Sequence, residues 1–162
     1  MNNFSSIAIS PIDGRYHNDL LELSSYFSEE ALFKYRIIVE IKYFKYILND
    51  IFNYHLNEEQ SRILNNLMSD NDFYHEIKDI EDKTKHDVKA VEIFLRNKLT
   101  NIFPQNILNL IHFGLTSEDI NNLSYNLLIK DYINTHHNPL LKDLLLNLRD
   151  LCLKYKLTVW PT

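Results

Sequence analysis

Apolar residues recur every three or four positions along most of the chain, the spacing that lines one face of an α-helix. The clearest stretch runs from Ser28 to Ile51, where Phe33, Ile37, Ile41, Phe44, Leu48 and Ile51 keep that interval. Leu32, Val39, Tyr43, Tyr46 and Ile47 widen the stripe, which predicts a helix buried over much of its surface. Ser28 is suited to cap its start, with Glu29 and Glu30 at the positive end of the helix dipole. Shorter patterns predict helices over 58–68 (Ile63, Leu64, Leu67, Met68) and 72–80 (Phe73, Ile77, Ile80). The charged run 81–85 reads as a solvated loop. A helix follows on Val88, Val91, Leu95 and Leu99, with Thr84 and Asp87 at the spacing of a capping box. Pro104 breaks the pattern before a short apolar piece over 107–113. Thr116-Ser117-Glu118-Asp119 then opens a helix carrying Ile120, Leu123, Leu127 and Tyr132. Asn138-Pro139 starts the last one, whose apolar face is Leu141, Leu144, Leu145, Leu148, Leu151, Cys152 and Tyr155. The predicted fold class is all-α.

Composition narrows the picture further. Two glycines in 162 residues, Gly14 and Gly114, cannot build a Gly-rich phosphate loop and argue against many tight hairpins. A net charge of −5 argues against a nucleic-acid partner, whose binding rests on clustered positive charge. The single cysteine, Cys152, excludes an intrachain disulfide and any cysteine-rich metal site, and reads as a buried small hydrophobe in a reducing compartment. No run of about 18 apolar residues is present, so no membrane partner is expected and the cytoplasm is the expected location. The many tyrosines fall in helical stripes and read as core. The apolar stretch 157–162, ending in Trp160-Pro161-Thr162, is expected to pack against further chain, as a fragment would.

Most histidines stand without a second ligand at helical metal-site spacing; His112, between Ile111 and Phe113, reads as a buried histidine bonded to backbone. Three segments invite more. Ser10-Pro11-Ile12-Asp13-Gly14-Arg15-Tyr16 puts a guanidinium and a phenol beside a flexible glycine, a useful pairing for phosphate. Lys85-His86-Asp87 places a histidine and two charges at a helix start, where anions are favoured. Gly114-Leu115-Thr116-Ser117-Glu118-Asp119 offers hydroxyls and free backbone N–H groups at another. Each alone reads first as a cap. Three in one chain, all suited to anions, point toward a polyanionic ligand.

Ser10–Tyr16, Thr84-Lys85-His86-Asp87-Val88-Lys89-Ala90-Val91-Glu92 and His112–Asn122 together closely resemble the bacterial-type branch of the adenylosuccinate lyase family, in the aspartase/fumarase superfamily. The motifs stand in the family's order, and the resemblance runs the length of the chain. It implies an N-terminal helical domain over 1–111 and the first long helices of a central helical bundle over 112–162, apparently truncated. It implies a carbon–nitrogen lyase that removes fumarate by β-elimination from adenylosuccinate, giving AMP, and from the succinyl-aminoimidazole-carboxamide ribonucleotide of purine synthesis. By resemblance, Arg15 and Tyr16 contact the nucleotide, Lys85, His86 and Asp87 form a substrate-binding triplet, and Thr116 and Ser117 hold the succinyl part. His86 is expected to orient substrate rather than to transfer a proton. Such a substrate carries about four negative charges, which suits the anion-shaped segments. No cofactor and no metal is implied. The family assembles as a homotetramer whose active sites are shared between subunits.

Two departures from the family pattern carry weight. Lys85 stands where the bacterial type usually has asparagine, and is read as an extra positive charge toward the substrate. The family's general acid, a histidine in a Thr-His-Gly segment, and its general base, a serine on a mobile loop, are absent; the acid would fall just after Thr162. The isolated chain is therefore expected to be inactive. Rival readings are another lyase of the superfamily, of argininosuccinate lyase or fumarase type, and a helical interaction module without chemistry.

Overall fold

The computed structural model describes residues 9–12 and 14–158, and every regular element among them is helical. Asp13 of the first motif and the terminal Trp160-Pro161-Thr162 lie outside the described residues. After a 3-10 turn (His17–Leu20) come α1 (Leu21–Phe27), α2 (Glu29–Tyr46), α3 (Glu58–Ser69), α4 (Tyr74–Thr84), α5 (Asp87–Leu99), α6 (Gln105–Leu108), α7 (Ser117–Tyr132) and α8 (Asn138–Tyr155). Single π turns, Ile47–Ile51 and Ile133–His137, follow α2 and precede α8. No helix among the described residues is long and apolar enough to cross a membrane. The chain divides into two compact units, Met1–Leu128 and Ile129–Thr162.

In the first unit the broad stripe of α2 does what its pattern implies. Ser28 caps the helix, its hydroxyl accepting from the Ala31 N–H at 3.1 Å. Phe33, Ile37, Ile41 and Phe44 then pack into one core with Leu64 of α3, Ile77 of α4 and Val91, Phe94 and Leu95 of α5. A smaller apolar cluster, Val39, Val88 and Ile120, binds α2 to the first turns of α5 and α7. This second cluster decides where the candidate site residues stand.

Several expectations are corrected. The run 81–85 is no loop: α4 continues through Thr84, supported by the Lys78–Glu81 ion pair at 2.6 Å. Lys85 ends it in the left-handed conformation (φ 53°), its N–H bonded to the Glu81 carbonyl. Thr84 therefore belongs to the end of α4 and cannot cap α5; His86 does so instead, its Nδ1 accepting from the Lys89 N–H at 3.2 Å. Tyr35 is buried, but Tyr16, which precedes the first helical turn, and Tyr46, Tyr125 and Tyr155 on their helices are exposed rather than core.

The second unit holds the end of α7, a π turn and α8, and none of its described side chains is buried. The predicted stripe of α8 exists, yet Leu141, Leu144, Leu145, Leu148 and Leu151 are exposed, since no other described element of that unit covers them. Cys152 is exposed for the same reason, against the expectation of burial.

Candidate functional site

Two helix starts meet in the first unit. His86, in extended conformation (φ −148°, ψ 110°), precedes α5; Ser117 begins α7. The Val39–Val88–Ile120 cluster holds the two ends side by side, and His86 Nε2 lies 3.4 Å from Ser117 Oγ. Because His86 Nδ1 is occupied as the acceptor of the α5 cap, the neutral ring carries its proton on Nε2 and presents an N–H toward Ser117. His86, Val88, Lys89, Glu92, His112 and Ser117 line an open cleft of about 260 Å³.

A shell of buried charge fixes these elements. The Arg36 guanidinium of α2, 3% exposed, donates to Asp87 Oδ2 at 2.6 Å and to Asn121 Oδ1 at 2.8 and 3.0 Å. One side chain thus ties α2 to the first turns of both α5 and α7. Asp87 also accepts from its neighbour's N–H, Val88, at 2.8 Å. Burial alone would raise the Asp87 carboxyl, but the Val88 N–H and the Arg36 charge outweigh it and hold the group below the ordinary carboxylate range. Glu92, buried on α5, bridges Lys89 (2.7 Å) and Arg96 (2.9 Å). Among the described residues no group of three His, Cys, Asp or Glu side chains is placed to hold a metal ion.

His112 corrects its sequence reading. It is half-buried, in the left-handed conformation (φ 62°), and its Nδ1 meets the wholly buried Glu40 carboxylate at 2.5 Å rather than a backbone group. The hydrogen bond to Glu40 raises the His112 pKa above its usual value, against the opposing effect of burial.

The structure brings together His86, Asp87 and Ser117, with Thr116 adjoining. Thr116 does not offer free donors, however: its N–H and hydroxyl both go to Asp119 Oδ2, at 2.7 and 2.9 Å. Those two bonds keep the exposed Asp119 carboxyl below its usual range. Lys85 is exposed, its ammonium 3.9 Å from Asp82, and lines no part of the cleft; Lys89 is the ammonium that does. Arg15 stacks over the Tyr16 ring at 5.1 Å, and neither lines the cleft. Arg36, Glu40 and Asn121 escape a reading by periodicity. Their one signal is that Arg36 and Glu40, four residues apart, interrupt an otherwise apolar helix face.

Known proteins carry the same arrangement of sequence. The chain is 48% identical over 124 residues to an adenylosuccinate lyase of Legionella pneumophila (strain Corby), covering 73% of this chain and 27% of the relative. It is 38% identical over 160 residues to an adenylosuccinate lyase of Buchnera aphidicola subsp. Acyrthosiphon pisum, covering 94% of this chain and 35% of the relative. The chain is homologous to the adenylosuccinate lyases. A further lyase of that name, from Buchnera aphidicola subsp. Baizongia pistaciae, is 42% identical over 124 residues, 73% of this chain and 26% of its own length. The homologue thus spans about a quarter to a third of the length of the curated relatives it matches. No family model matches it.

Proposed function

We propose that this chain forms part of the substrate cradle of an adenylosuccinate lyase, which eliminates fumarate from adenylosuccinate and from the related succinyl-carboxamide ribonucleotide. The observation that carries the reading is the meeting of two helix starts at His86 and Ser117. Donors at two positive helix ends, with Lys89 beside them, suit a ligand bearing phosphate and two carboxylates. In such an elimination a base takes the proton from the succinyl carbon beside a carboxylate, while an acid protonates the departing amine. Neither proton-transfer group is assigned here. His86 donates from Nε2 and orients the succinyl part with Ser117; Asp87 works through Arg36, holding α5 in place. Arg15 and Tyr16 supply a cation and a phenol for the nucleotide, and Lys85 a further positive charge, approaching as the remaining site assembles. The reading extends to a cytoplasmic homotetramer with shared active sites, in which 1–111 is the N-terminal domain and the helices from 112 onward begin the central bundle.

Ligand-dependent melting of the full-length gene product tests the substrate class. Adenylosuccinate should raise the Tm, and argininosuccinate should not. The reverse order would assign another lyase of the superfamily, and no shift with any succinyl compound would favour an interaction module.

A further inference from the structure

The buried Glu40 of α2 has no part in the cradle just described, yet its carboxylate is set directly against His112, a residue of the cleft lining. We propose that Glu40 is a positioning residue for the lyase reaction, holding His112 by Nδ1 so that Nε2 is the ring's remaining hydrogen-bonding edge in the cleft. The proposal rests on the lyase reading.

Three observations support it. Glu40 is wholly buried, and a carboxylate in that setting needs a charged or donor partner to be tolerated. His112 Nδ1, at 2.5 Å, is the partner it has; its other oxygen, Oε2, is buried and accepts no hydrogen bond among the described residues. The carboxylate's demand therefore falls on one imidazole. His112, in turn, is held in a left-handed backbone conformation that a residue with a Cβ rarely adopts, and Tyr43, also of α2, donates to the next carbonyl, that of Phe113, at 2.9 Å. Helix α2 thus grips this turn at two points, and the histidine ring is fixed by the acid rather than by its own backbone. The charged groups acting on His112 are Glu40 from α2, Glu92 and Lys89 from α5, and Asp119 from α7. Glu40 has the largest influence of these, and Lys89 opposes it.

Two measurements test this. First, the His112 ring of the wild-type chain is titrated by NMR, which needs no substrate. Its midpoint should lie above 6.5, and in Glu40→Gln it should fall by about one pH unit or more. A wild-type midpoint at or below 6.5 overturns the proposal even if the variant does not fold, and so does an unmoved midpoint in a folded variant. Second, fumarate release by the full-length product is followed against pH. Glu40→Gln should lower kcat/KM about tenfold at pH 8 and by less at pH 6, where a larger fraction of the variant's ring is protonated without help from the carboxylate. An equal loss at both pH values would indicate structural damage and overturn the positioning role. A wild-type product that releases no fumarate would refute the lyase reading while the NMR titration still decides the Glu40–His112 link.

Discussion

Asp87 works in two directions at once: it accepts the Val88 N–H in the first turn of its own helix and neutralises the buried Arg36. Substituting Asn removes the charge and leaves Arg36 with neutral acceptors only. The expected cost is about 1–2 kcal/mol of stability, kept low because the Asp87 side chain is 43% exposed and its pair is screened by solvent. The pH dependence has a definite sign. Asp87 titrates below its unfolded value of 3.8, so its contribution is present above that pH and lost as pH falls through the folded pKa. His112 titrates above its unfolded value of 6.5, so its contribution is full below 6.5 and lost as pH rises through the folded pKa. Denaturant unfolding across pH should show both slopes in the wild type. Asp87→Asn should flatten only the acid limb; an unchanged acid limb would contradict the Arg36–Asp87 link.

Among the elements, α2 organises the first unit, because it supplies core residues on one side and Arg36, Glu40 and Tyr43 toward the cleft on the other. Its cap is a local feature with a measurable contribution: Ser28→Ala should destabilise by about 1 kcal/mol. Phe94→Ala, deep in the shared core, should cost about 3–5 kcal/mol. A chemical denaturation series would show a wrong account of the core if Ser28→Ala proved the larger loss. Helices, their order and the cap at Ser28 were legible in the sequence because period and capping are local properties. The end of α4 was not, since the ion pair between Lys78 and Glu81 supports a helix that polarity alone reads as loop. The cap at His86 was hidden for a related reason: histidine is an uncommon cap, and Thr84, the more usual one, was already inside α4. At the site, motif resemblance reached His86, Asp87 and Ser117, whereas Arg36 and Glu40 were invisible because their partners lie 51 and 72 residues away in sequence.

For the whole molecule, the division at Leu128 separates a packed unit from one whose described side chains are all at least partly exposed. Stability should be distributed accordingly. In native-state hydrogen exchange of the chain, amides of α8 should exchange at least about 100-fold faster than those of α2 and α5. Equal protection would contradict a second unit whose described side chains are none of them buried. The apolar stripe of α8 was readable as a stripe, but its exposure was not, because periodicity reports which residues share a face and not what covers it.

The central claim is that the His86–Ser117 cleft cradles a succinyl nucleotide. The most direct measurement is fumarate release from adenylosuccinate by the full-length gene product, compared with His86→Gln and Ser117→Ala. The account predicts turnover by the wild type and a fall in kcat/KM of about 10- to 100-fold in each variant, with folding unchanged by circular dichroism. Wild-type rates in both variants would contradict it.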